Sequence, residues 1–354
     1  MTSTLAARKE NRLLNVLRWR RGLSATVIVA VVLVAVFLLA FVVGRYQIPS
    51  LEGMKVLFSQ IFPIQQTWPD IYETVMLEIR LPRILAAVLI GAGLAASGAS
   101  FQGLFRNPLV SPDILGVAAG AGFGAALGIV VFGANPVAIQ GMAFVFSLVA
   151  VGTTWLVSRA VRSNPTLTLI LAGMAIAALF TAMLSFMKYI SDPFEELPAI
   201  VFWLMGSLSS IGMKDIAVVA APMVAGIAIL LLLRWRLNVL AMGEEEALSL
   251  GVDTKKMQMV FILCATLVTA SAVSISGVIG WVGLVIPHIG RMLVGPSHDR
   301  LLPITILLGA AYLLIIDTLT RSVFSAELPI GILTAIVGVP FFIYLLNRGR
   351  RGWL

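Results

Sequence analysis

Apolar residues in this chain come in long unbroken runs, with neither the alternation of a strand nor the narrow stripe of a soluble helix. Runs of about 17–25 apolar residues have the length of a helix that crosses a bilayer. Ten stand out, at 25–44, 84–104, 113–132, 137–158, 167–189, 215–233, 257–275, 278–294, 301–319 and 328–346. The eighth is short and broken by Pro287. The semi-apolar stretch 194–210, with Pro193 and Pro198, reads as a short interfacial helix, and 51–62 as a small amphipathic helix inside the long connection 45–83. The pattern predicts an all-α polytopic membrane protein of ten transmembrane helices. Its parts are a basic segment at 1–24, one membrane domain at 25–346 with a cytoplasmic loop at 234–256, and a tail at 347–354.

Within the runs, small residues recur every fourth position. One row is Gly91, Ala95, Ala99 and Gly103; the next is Gly116, Gly120, Gly124 and Gly128. Positions four apart share a helix face, so each row is a groove where a second backbone can come close. Lipid supplies no hydrophobic push between helices, and small-residue packing substitutes for it. In water each glycine would cost about 1 kcal/mol against alanine. The rows predict a glycine-packed bundle, and Gly277, Gly280 and Gly283 read the same way.

Composition agrees. Of 354 residues 59% are hydrophobic and 12% charged, about half the charge of a soluble domain. The net charge of +8 raises nucleic acid as a partner, but its distribution points to topology instead. With both termini in the cytoplasm, 18 of the 25 Lys and Arg fall on the inner side and Arg45, Lys55, Arg80, Arg83, Lys188, Lys214 and Arg321 on the outer. Cytoplasmic loops carry such an excess, which predicts an even number of spans and no nucleic-acid partner. The first run follows a basic segment but is too long for a signal peptide and lacks a small-residue cleavage site, so it reads as a retained helix.

Little chemistry lies inside the runs. Cys264 is the single cysteine, and His288 and His298 are the two histidines. No disulfide, metal site or cofactor is expected. Asp317 lies near the outer end of the ninth run, and no row of Asp, Glu or His crosses the membrane. An ion-coupled carrier usually needs one, although some ion sites use backbone carbonyls. A hydrolase would need a nucleophile beside a base. Any driving force for transport is expected from another subunit.

The largest inner loop has a patterned centre. Gly243 precedes Glu244, Glu245 and Glu246, carboxylates that suit the first turn of a helix. Ala247, Leu248 and Leu250 give it an apolar side, and Gly251 suits its C-terminal cap. The loop reads as a docking surface or as a simple linker, and the leucines and paired glycines favour docking. Asn107-Pro108 and Asn164-Pro165 read as turns, Pro287 and Pro340 as kinks, and Trp203 as an interfacial anchor. Met174, Met183 and Met187 read as core packing or as the lining of a pathway. Arg80 and Arg83 flank Pro82, a residue suited to a helix start, and on that ground alone read as interfacial anchors.

From about residue 75 onward the chain resembles permease subunits of bacterial ABC importers for iron-siderophores, haem and cobalamin, the FecCD type. The strings that carry it are RLPR at 80–83, GLAASGASFQGLFRNPLVSPDILGVAAGAG at 93–122, LAG at 171–173 and FWLMGSLS at 202–209. GEEEALSLGVD follows at 243–253, then SGVIGWVGLVIPHIGRMLVGPSHDRLLP at 276–303 and ELPIGILTAIVGVPFFIYLL at 327–346. The resemblance implies a multi-pass protein of the bacterial cytoplasmic membrane, paired with a second permease subunit as a homo- or heterodimer. It implies two cytoplasmic ABC ATPases, an extracytoplasmic binding protein and a ferric-siderophore or related chelate as cargo. ATP is then hydrolysed in the partner, and this chain has no GxxxxGK[ST] phosphate loop. It implies ATPase coupling by Gly243, Glu244, Glu245, Glu246, Leu248, Leu250 and Gly251, and docking of the binding protein on outward Arg80, Arg83 and Arg321. It implies a cytoplasmic gate of Asn107, Leu109, Thr166 and Leu167. The competing class is an ion-coupled secondary carrier or channel for a small solute.

Overall fold

Inside a bilayer a backbone finds hydrogen-bond partners only in itself, so each long apolar run is driven into a helix. A computed structural model describes residues 24–161, 165–323 and 327–348, and among them every regular element is helical. In chain order these are α1 (Ser24–Val42), α2 (Ser50–Ser59), α3 (Asp70–Leu104), α4 (Val117–Phe132) and α5 (Pro136–Ala160). They continue as α6 (Pro165–Ile190), α7 (Glu196–Leu204), α8 (Met213–Leu232), α9 (Arg234–Met242) and α10 (Glu244–Ser249). The last four are α11 (Thr254–Ser276), α12 (Val282–Val294), α13 (His298–Ser322) and α14 (Ile330–Arg348). Seven are long and apolar enough to cross a membrane, and α4, α12 and α14 are shorter apolar helices. The basic segment expected at 1–24 lies outside the described residues except for Ser24, as do Asn164 of the expected Asn164-Pro165 turn and residues 349–354 of the tail.

Two expected spans start later than their hydropathy suggests. The run at 113–132 becomes helical at Val117, because Pro112–Leu115 winds as a short 3-10 turn and Gly116 takes a left-handed φ of +86°. Gly116 therefore caps α4 and does not belong to its face. The run at 278–294 becomes helical at Val282, because Gly277 (φ +67°) and Trp281 (φ +70°) turn the backbone out of the helical region. Both irregular segments are packed inside protein, the setting in which non-helical backbone is tolerated at membrane depth. Ser207 N–H donates to Ser276 O (2.8 Å), Ile330 N–H to Gly206 O (2.9 Å) and Gly331 N–H to Met205 O (3.1 Å). The interruptions after α7, after α11 and before α14 thus satisfy one another.

The helices differ in burial. Most of the apolar window of α3 (83%) and of α11 (78%) is buried, against 17% for α1 and 28% each for α5, α6 and α8. The first two are therefore the bundle's centre, and the others leave most of their apolar surface exposed at its rim. Helix α3 packs on α8, α11, α12 and α13, while α4 packs on α5 and α6. The glycine rows are the seams. A Cβ on Gly91 would strike the Gly309 carbonyl, one on Gly309 would strike Gly91, and one on Gly103 would strike the His298 ring, so this row lies along α13. Gly120 and Gly124 meet the carbonyls of Phe146 and Met142, and Gly128 lies against Ile139, with a Cβ only 3.0 Å from its Cα, so the second row lies along α5. Gly98 and Gly283 bring α3 and α12 together the same way.

Close approach predicts position-specific sensitivity. Gly98→Val forces backbone apart and should destabilise by about 1–3 kcal/mol or more. Gly141→Ala on α5, where nothing lies within 4 Å of the added carbon, should be neutral or stabilising by up to about 1 kcal/mol. Thermal unfolding in detergent reads both, and equal melting temperatures would refute the seam.

Candidate functional site

Two polar regions lie at opposite ends of α3. Its regular part, Leu81–Leu104, has 24 residues and spans roughly 36 Å at 1.5 Å per residue, comparable to a bilayer's apolar thickness.

At the far end of α3 the chain turns sharply. Arg106 has φ +50°, and the Asn107 side chain accepts from the Leu109 N–H at 2.9 Å, an Asx turn. Leu109 and Leu167 are exposed. Arg106 and Thr166 line one cleft of about 730 Å³, together with Trp155 and Arg159 of α5, Lys255, Lys256 and Met259 of α11, and Gly243 and Glu244. The two segments expected to gate the pathway and the start of the expected coupling helix therefore share one space.

That helix is α10. Gly243 enters at φ +144° and Gly251 leaves at φ +76°. Gly251 N–H donates to Leu248 O (2.9 Å) and Val252 N–H to Ala247 O (2.9 Å), closing its last turn. Glu244, Glu245 and Glu246 occupy the first turn and are exposed. The apolar side divides: Ala247 is fully buried, while Leu248 and Leu250 are more than half exposed, leaving apolar surface on a polar face. Two contacts that sequence reasoning missed tie this loop to the spans. Asn238 on α9 accepts from the His298 backbone N–H (2.8 Å) and donates to Asp299 (2.8 Å), reaching α13. Thr254 donates to Glu244 Oε1 at 3.4 Å, joining α10 to α11. Asp253 caps α11, and the Lys256 N–H holds its carboxyl below the usual range.

At the other end the three arginines expected to face outward are turned into the bundle, each under a tenth exposed. Arg83 donates from Nε to Asp317 at 2.6 Å and from Nη1 to Glu327 at 2.8 Å. Arg321 Nε stands 3.6 Å from Asp317, and its Nη2 donates to Ala40 O. Arg80 donates to Phe41 O and Tyr46 O. The physical reason is demand from inside. Asp317 is fully buried and an unpaired buried carboxylate is costly. The last turn of α1 also leaves carbonyls without helical partners. Asp317 stood out in the sequence as an ionisable residue in an apolar run, but Arg83 lies 234 positions away and no spacing rule connects them. Among the described residues no group of three His, Cys, Asp or Glu gathers that could hold a metal ion.

Residues 32–348 match the FecCD transport family. The permease of the molybdate import system of Haemophilus influenzae is 43% identical over 315 residues, covering 88% of this chain and 91% of that one. A Helicobacter pylori permease named for iron chelatin transport is 40% identical over 276 residues, covering 78% and 83%. Among solved structures, an inward-facing ABC transporter of metal-chelate type superposes with a TM-score of 0.81 at 40% identity, covering 91% of this chain and 98% of that one.

The arginine cluster yields a stability order. Asp317→Asn removes the charge shared by Arg83 and Arg321 and should cost about 3–5 kcal/mol, as for other broken buried pairs. Glu327→Gln, at a partly exposed partner, should cost clearly less. Thermal melts of the two variants in detergent test that order, and a reversed order would refute it.

Proposed function

This chain belongs to the FecCD transport family, and from that premise we propose that it is the membrane permease subunit of an ABC importer. Its cargo is a metal chelate, with a ferric-siderophore as the first candidate. It pairs with a second permease subunit, receives cargo from an extracytoplasmic binding protein and is driven by two ATPases on the cytoplasmic face. The chain itself moves cargo and makes or breaks no bond. Ten membrane crossings with both termini inside, in a bacterial cytoplasmic membrane, complete the reading. Three short apolar helices beside seven long ones and the Lys/Arg distribution support it.

The observation that carries the reading is α10. A short helix is pinned at both ends by left-handed or extended glycines, with exposed Leu248 and Leu250 beside three carboxylates. It is amphipathic, joined directly to α11 through Thr254, and linked to α13 by way of Asn238 on the preceding α9. Glu244, Glu245, Glu246, Leu248 and Leu250 dock in the ATPase, and Gly243 and Gly251 set the angle. A push on α10 reaches the cleft directly, because Gly243 and Glu244 form part of its wall. Asn107, Leu109, Thr166 and Leu167 form the gate there. At the opposite end the binding protein sits over Arg80, Arg83 and Arg321. Engaged inward, these residues brace that surface from beneath without reaching out of it.

A second reading of the cargo is a metal oxyanion, favoured by the 43% identity to a molybdate importer's permease. An ion-coupled carrier fits less well. Asp317, the buried carboxylate of α13, is engaged by Arg83 at 2.6 Å, and no row of Asp, Glu or His continues from it across the membrane in the sequence.

The test is reconstitution into vesicles with the ATPase and binding protein encoded beside this chain, using ferric-siderophore and molybdate in parallel. ATP-dependent uptake of one of them is expected, and uptake driven by an ion gradient alone would overturn the reading. In the same vesicles, alanine at Glu244, Glu245 and Leu248 should abolish stimulation of ATP hydrolysis by the loaded binding protein, with the permease still folded. Normal stimulation would remove α10 from the mechanism.

A further inference from the structure

The cleft beside α10 carries more positive charge than its own residues neutralise. Arg106, Arg159, Lys255 and Lys256 line it against one carboxylate, Glu244. Asp253 meets Lys256 at 3.3 Å. Arg106, Arg159 and Lys255 enter no ion pair among the described residues. Two of these cations have a defined setting, Arg106 through its backbone and Arg159 through its guanidinium. Arg106 is fixed on a left-handed turn at φ +50°, a conformation that costs a residue with a Cβ, and its N–H donates to Gly103 O at 3.3 Å. The Arg159 guanidinium lies 4.1 Å from the centre of the Trp155 ring. A planar, pre-positioned guanidinium matches phosphate geometry better than a mobile ammonium does.

The position matters as much as the charge. The cleft is built where α3 and α5 end and α6 and α11 begin, so it lies at the level of one membrane surface. Trp155 is the residue type that settles at that level. One wall is apolar: Met259 lines the cleft and is 40% exposed, and beyond the cleft, a turn further along α11 toward the membrane centre, Leu263 is 59% exposed. A volume near 730 Å³ is in the range of small-ligand sites and far larger than one solvated ion needs.

We propose that this cleft binds a phosphate-bearing anion, with its phosphate group against Arg106, Arg159 and Lys255. Of the two sources of that chemistry, the headgroup of an anionic phospholipid fits the surroundings best, its acyl chains lying along Met259 and Leu263; free phosphate would use the same cations without the apolar wall. The bound group joins the ends of three helices next to Gly243, so occupancy stiffens the link between α10 and the gate segments. This binding does not depend on the transport reading, and it is read without ATPase, binding protein or cargo.

The experiment uses the purified full-length chain in detergent, titrated separately with dioleoylphosphatidylglycerol, dioleoylphosphatidylcholine and inorganic phosphate. Retained ligand is followed by native mass spectrometry and thermal stability in parallel. Preferential retention of phosphatidylglycerol over phosphatidylcholine is expected. Arg106→Gln with Arg159→Gln should reduce it roughly tenfold or more, given the usual contribution of each basic residue near an anionic surface. Lys255→Gln, at an exposed position that leaves folding intact, should reduce it by a smaller factor. Arg234→Gln, a cation outside the cleft, should leave it unchanged. Saturable phosphate binding with the same dependence on these cations would support the free anion as the source. Equal retention of both lipids, unchanged across the variants and with no phosphate binding, would overturn the proposal.

Discussion

Backbone meeting backbone is the constraint on which this bundle depends. In a bilayer the apolar side chains of α3, α11 and α13 gain nothing by leaving lipid for one another, so cohesion must come from contact distance. Gly91 against Gly309 and Gly98 against Gly283 bring peptide groups together with no side chain between them. Helices α12 and α13 are thereby locked onto α3, while the helices with mostly exposed windows, α5, α6 and α8, stand at the margin. The second seam, Gly120 and Gly124 against Phe146 and Met142, joins α4 to α5, and both of these helices also pack on α11.

The polar parts follow from the same economy of contact. Non-helical backbone at membrane depth is confined to places where another interrupted segment supplies the missing hydrogen bonds, as Ser276, Gly206 and Met205 do for their neighbours. The buried carboxylate of Asp317 is allowed because Arg83 and Arg321 reach it. The α10 loop is tied to the spans by two side-chain contacts, through Asn238 and Thr254. A displacement of α10 is therefore passed directly to α11, and to α13 by way of α9.

Much of this was readable from the residues alone, and the failures share a cause. Hydropathy located the apolar part of every long helix, because apolar length is a one-dimensional property, but it left the first turns of α3, from Asp70 to Arg83, in the connection before it. The four-residue spacing of glycines pointed to the seams, because helical periodicity turns spacing into a face. Glu244 to Glu246 and Gly251 marked α10, because capping chemistry is local. Hydropathy did not show that Gly116 and Trp281 leave the helix, since dihedral angles do not register in it. Nor did sequence show which way Arg80, Arg83 and Arg321 point. Their partners are Asp317, Glu327 and the carbonyls of Ala40, Phe41 and Tyr46, brought near only by the completed fold. The split of α10, with Ala247 inward and Leu248 outward, likewise needed the neighbouring helices.

The Arg83–Asp317 pair has a mechanical consequence. Parting α3 from α13 at that end would leave Asp317 with Arg321 alone and strip Arg83 of its buried partner. With Gly91 touching Gly309 midway and Gly103 touching His298 at the other end, the two helices are fastened along their whole shared length and would travel together as a single spar.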